Sequence, residues 1–124
     1  MSWQGYVDDS LLGSGELSEA AIIGVDNGGI WAASKGFPGE AQALIKGFQD
    51  SSAVLRSGVS VNGTKYHTIQ ASDKEIIAKQ TTSGVLAVKT KKTVIVALWS
   101  KDGGQAHAYS LVHKLADQLI AADY

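Results

Sequence analysis

No cysteine occurs among the 124 residues, which excludes a disulfide framework, thiolate metal sites and cysteine nucleophiles together. A reducing, intracellular compartment is the expected setting. The sequence also lacks any apolar run of about 18 residues, and no basic stretch followed by an apolar block opens it, so neither a membrane span nor a secretory leader is expected. An excess of one charge is missing too: 11 Lys and Arg stand against 12 Asp and Glu, a net charge of -1. Coating nucleic acid needs many surplus cations to displace counterions, so nucleic acid is not an expected partner. Proline occurs once against 14 glycines, so the turns rely on positive φ rather than on a fixed ring, as antiparallel strands require. One domain over residues 1–124 is expected, because a chain of this length can remove about 65% of its unfolded surface from water without metal or crosslink.

What is present reads as alternating strands framed by helices. Ser2 can cap a helix from Trp3 to Leu12, with Trp3, Tyr6, Val7 and Leu11 on one side and Gly13 and Gly15 to stop it. At about ten residues it is too short to stand alone and must dock. Leu17 to Val25 and Ile30 to Ala33 flank Asp26-Asn27-Gly28-Gly29 as a hairpin. Pro38 opens a helix from Gly39 to Asp50, and a shorter one runs from Ser52 to Ser57 before Gly58. Strands follow at Val59 to Val61, Lys65 to Gln70, Glu75 to Lys79, Val85 to Thr90 and Val94 to Trp99, the first two joined by Asn62-Gly63. Val94 to Trp99 is apolar without alternation, which predicts a central strand covered on both faces. After Asp102-Gly103-Gly104, a last helix carries Ala108, Leu111, Val112, Leu115, Ala116, Leu119 and Ile120 at helical spacing. The expected class is α+β: a central antiparallel sheet of six to seven strands, with the N- and C-terminal helices on one face and two shorter helices on the other.

Catalytic signatures are absent. His67, His107 and His113 include no pair four apart on a helix, so no metal site is expected. Gly58-Val59-Ser60-Val61-Asn62 lacks the second glycine of a nucleophile elbow, and Gly24, Gly28 and Gly29 miss both the dinucleotide and the P-loop spacing. Asp8-Asp9 and Asp73-Lys74-Glu75 read as solvated carboxylates. The chain is expected to be a binding protein without a cofactor, not an enzyme.

Two features point to binding. Trp3 and Tyr6 lie three apart on the first helix and Trp31 begins the second strand; periodicity alone allows them as core or as surface. Tyr124, the last residue in the sequence, favours a rim. Side by side, these rings would form a shallow aromatic groove with N–H and O–H groups at its edge, the surface that a rigid polyproline II segment fits. The second feature is Arg56, Lys65, Lys79, Lys89, Lys91, Lys92 and Lys101, which spread over the later strands and turns. They serve either as solvated edge residues that block strand pairing or as a contact face for an acidic partner.

Ser2-Trp3-Gln4-Gly5-Tyr6-Val7-Asp8, Ala20-Ala21-Ile22-Ile23-Gly24, Ile30-Trp31-Ala32, Val88-Lys89-Thr90 and Lys114-Leu115-Ala116-Asp117 together make the chain resemble the profilin family from Met1 to Tyr124. The resemblance implies a monomeric cytoskeletal protein of the cytoplasm that binds monomeric actin and promotes nucleotide exchange on it. It also implies binding of proline-rich proteins and of phosphatidylinositol bisphosphate at membranes. Carried over by position, the proline site falls on Trp3, Tyr6, Trp31, Leu119 and Tyr124, and the actin site on Arg56, Lys65, Lys79, Lys89, Ser110 and Lys114. The chain departs from the family pattern at Gln70, Gln80, Ser110 and Gln118. An alternative from another class is a small-molecule sensor domain of PAS or GAF type, which would use one sheet face as its ligand pocket.

Overall fold

The computed structural model describes residues 3–13, 17–25, 29–34, 48, 50–61, 64–80, 83–100 and 104–124. Expected features at Ser2, Gly15, Asp26-Asn27-Gly28, Pro38, residues 39–47 and 49 of the helix expected from Gly39 to Asp50, Asn62-Gly63, Lys101 and Asp102-Gly103 lie outside these residues. No helix among the described residues is long and apolar enough to cross a membrane.

Seven strands form one antiparallel sheet: β1 (Glu19–Gly24), β2 (Ile30–Ala33), β3 (Val59–Val61), β4 (Thr64–Ala71), β5 (Glu75–Gln80), β6 (Ser83–Lys89) and β7 (Thr93–Trp99). Their order is β2-β1-β7-β6-β5-β4-β3. The unalternating run is β7, third from one edge and buried at every position. Its residues divide by the period of two: Val94, Val96 and Leu98 enter one core, and Ile95, Ala97 and Trp99 enter the other.

The first helical segment departs from the expected single α-helix. A short α1 (Trp3–Gly5) passes into a π-helical segment (Tyr6–Leu11), closed by the Leu12 N–H donating to the Val7 carbonyl at 3.0 Å. Wider turns bring residues four apart into line, so Val7 and Leu11 are both buried while Trp3 and Tyr6 stay half-buried at the margin. Helix α2 (Ser51–Ser57) has its N-terminal backbone capped by the Asp50 carboxylate and ends at Gly58, whose φ of 78° suits a residue without Cβ. Helix α3 (Gly104–Ala121) closes the chain.

The two faces are covered as the patterning predicts. Val7 and Leu11 join Val112, Leu115, Ala116 and Leu119 of α3 over Ile22, Leu86, Ile95 and Trp99. On the opposite face, Val54 of α2 and Phe48 pack with Ile23, Val59, Tyr66 and Val96. Helix α3 approaches the sheet closely because Gly104 lies against Trp99: a Cβ there would come 2.6 Å from the Trp99 Cβ. Ile120, placed on the inward stripe by its spacing, is exposed, since one further residue beyond Leu119 turns the helix about 100° away from the core.

Candidate functional site

Strand β2 places Trp31 by an irregularity. Ala33 and Ala32 pair with Ala21 and Ile22, but the next β1 residue, Ile23, pairs with Ile30, leaving Trp31 as one extra residue. At such a bulge two successive residues can face the same way. Ala32 is buried in the core under α3, and the Trp31 ring lies beside it against the terminal elements.

The rings meet there. Trp3 stands 4.9 Å from Trp31 at 68°, 4.9 Å from Tyr124 at 88° and 5.8 Å from Tyr6 at 54°; Trp31 and Tyr124 are 6.4 Å apart at 87°. Edge-to-face packing sets positive ring edges against negative ring faces and leaves other faces uncovered. Trp31 is 40% exposed and Tyr124 38% exposed, so the cluster lies at the surface. Leu119 is 1% exposed, because it completes the inward stripe of α3, and its side chain packs in the core beneath the rings. Its contribution at the rim is a backbone carbonyl that accepts the Tyr124 N–H at 2.8 Å.

Tyr124 is held by the end of α3 and by the turn between β6 and β7. Asp123 takes a left-handed φ of 73°, which folds the chain back for the bond to Leu119. The Tyr124 backbone oxygen accepts from the Thr90 hydroxyl at 3.0 Å and from the Lys92 N–H. Thr90 and Thr93 are buried and share a hydroxyl contact of 2.5 Å. Lys91 pairs with Asp123 at 3.0 Å; that hydrogen bond, with the charges of Lys91 and Lys92, holds the Asp123 carboxyl below its ordinary pKa. The Lys92 Nζ stands 5.5 Å from the centre of the Tyr124 ring, within cation–π range.

The expected actin residues do not converge on one patch. By register and alternation, Lys65 and Lys79 project from β4 and β5 to the sheet face that carries α3, with His67 paired to Lys79. Exposed Ser110 and Lys114 lie on α3, whose flank reaches β5 through the His113 Nε2 to Glu75 Oε1 contact of 3.0 Å. Lys89 lies at the far end of β6, about 17 Å along the strands from Lys79. There it lines a cavity of about 250 Å³ with Asp73, Lys74, Thr90, Lys91 and Ile120. Arg56 is exposed on α2, on the opposite face. Sequence reasoning missed Tyr109, 46% exposed and stacked on His113 at 4.1 Å, and Ile69, 56% exposed where β4 bulges between Thr68 and Gln70. The i, i+4 spacing of Tyr109 and His113 off the apolar stripe was the available signal; nothing in the sequence marks the bulge.

Among the described residues, no group of three or more His, Asp or Glu could hold a metal ion. The family model for Profilin matches residues 1–124. Profilin-A of Physarum polycephalum is 45% identical and Profilin-2 of Acanthamoeba castellanii 40% identical, each over the whole of both chains. The crystal structure of Acanthamoeba castellanii profilin II superposes with a TM-score of 0.89 at 38% identity, covering 99% of this chain and 100% of that one.

Proposed function

The chain belongs to the profilin family, and from that membership and the geometry of the rings we propose that it joins two partners, monomeric actin and proline-rich segments, on separate surfaces. The observation that carries the proline half is the edge-to-face set of Trp3, Trp31 and Tyr124 at the surface. A polyproline II segment has already lost its backbone freedom, exposes unpaired carbonyls and packs its rings on flat aromatics, so little ordering entropy opposes docking. Indole N–H and phenol O–H groups supply donors for those carbonyls.

For actin, the supporting residues are Lys65 and Lys79 on the sheet and Ser110 and Lys114 on α3, which share one face, while Arg56 on α2 and Lys89 at the end of β6 stand apart from this group. From β2 to β4 is five strand steps, about 24 Å, so both surfaces can be occupied at once. Acceleration of nucleotide exchange then follows if the protein binds tightest to an actin conformation that releases nucleotide faster. Phosphatidylinositol bisphosphate is the remaining proposed ligand, and Lys74 and Lys89 at the cavity offer cations to its head group, with Lys91 paired to Asp123. The proposed setting is the cytoplasm and its cytoskeleton, with the protein acting as a monomer. A sensor-domain function has no support in family membership or in the filled sheet face.

Titration with a proline-decamer peptide tests the proline reading. Tryptophan emission should change and saturate, since two of the three indoles lie at the rings; no change at millimolar peptide would refute it.

A further inference from the structure

We infer that Lys92 makes the aromatic groove select by charge, favouring proline-rich segments that carry an acidic residue beside the polyproline stretch. This rests on the proline-binding reading proposed above. The rings themselves are uncharged and a polyproline stretch carries no side-chain charge, so rings alone accept any such sequence. Discrimination must come from charges at the groove ends.

Two charges of opposite sign are placed there. Lys92 is exposed and its ammonium lies over the Tyr124 ring at 5.5 Å, while the ammonium of neighbouring Lys91 is engaged by Asp123 at 3.0 Å. The Lys92 backbone is fixed on both sides: its N–H donates to the Tyr124 oxygen, and its carbonyl accepts from Val25 N–H at 3.0 Å. Val25 follows Gly24, and Ile23 pairs with Ile30, so Lys92 marks the Ile30 end of β2. At the Ala33 end, the Gln4 side chain donates to the Ala33 carbonyl at 2.9 Å and to the Asp8 carboxylate at 3.1 Å, which fixes an exposed anion. Ile30 to Ala33 spans about 10 Å, the length of three to four residues of polyproline II. The complementary ligand is therefore a short proline stretch with Asp or Glu at the Lys92 end and a neutral or basic residue at the Asp8 end.

Three peptides of equal length test this on the full chain at low salt: proline alone, proline with two Asp before it, and proline with two Asp after it. The better-placed acidic peptide should bind about two- to fivefold tighter than the neutral one, the range of an exposed ion pair. That advantage should disappear in Lys92→Gln and persist in Lys92→Arg, which keeps both the charge and the ring contact. Equal affinities on the native chain, or an advantage that survives Lys92→Gln, would overturn the inference while leaving proline binding intact. Loss of neutral-peptide binding in Lys92→Gln would reassign Lys92 to holding Tyr124 in place and overturn it as well. If the neutral peptide fails to bind the native chain, the proline reading itself falls.

Discussion

The Trp31 indole reaches the Trp3 indole, 4.9 Å away, because β2 has one residue more than β1 opposite Ile22 and Ile23. Trp31 is 40% exposed, so part of it is open to a ligand while the rest packs against Trp3 and Tyr124. Truncating a central aromatic anchor of an interface commonly costs at least about 2 kcal/mol, or about thirtyfold in affinity. Trp31→Ala is expected to weaken proline-peptide binding by about that factor, measured below the urea transition, where the variant is folded. Trp3→Ala should abolish proline binding and leave actin binding intact; loss of both would contradict two separate surfaces.

Thr90 ties the second ring to the sheet through its buried hydroxyl. Thr90→Val keeps the shape and removes the donor, leaving the Tyr124 oxygen with the Lys92 N–H. A cost of about 1–2 kcal/mol in urea unfolding is expected, with weaker proline binding, because Tyr124 is then less well ordered.

Asp123 gives a pH prediction. Its folded pKa is lowered, so the stabilisation from its pairing with Lys91 is present above the ordinary carboxylate range and is lost as pH falls through the lowered value. Both groups are exposed, so the effect on stability is small. NMR titration of the Asp123 carboxyl should give a pKa below that of an unpaired aspartate, moving back toward it in Lys91→Gln. An unchanged titration in that variant would assign the shift to another cause.

The split among the basic residues separates two ligands. Lys79→Glu should weaken actin-monomer binding, whereas Lys89→Glu, at the other end of the strands, should affect it less and reduce binding to vesicles containing phosphatidylinositol bisphosphate. Equal losses of actin affinity in both would contradict the placement.

Gly104→Ala introduces a Cβ 2.6 Å from that of Trp99. Overpacking of this kind costs about 1–3 kcal/mol, to be read as a lowered urea midpoint with proline binding retained below the transition.

Period-two and helical patterning made most of the fold legible. Val94 to Trp99 announced the central strand, and the stripe from Ala108 to Leu119 announced the helix over it, because burial repeats along regular elements. What stayed hidden depends on irregular backbone. The bulges at Trp31 and Ile69 break alternation without a distinctive residue, and the π-helical turns of Tyr6–Leu11 use side chains that an α-helix would also accept. The aromatic set was readable as residue types near both ends of the sequence, but its convergence needed the bulge and the left-handed Asp123. Leu119 follows the helical period of its own stripe and is buried, as that period requires. The lysines carry no period that assigns a face, so Lys79 and Lys89 look alike until the strands are paired.

The most direct measurement is an amide and indole NMR titration with proline decamer. The indole N–H resonances of Trp3 and Trp31 should shift together with the Tyr124 amide, while that of Trp99, buried under α3, stays in place. Shifts confined to β4 and β5, or to Trp99 without Trp3 and Trp31, would contradict a ligand seated on the surface rings.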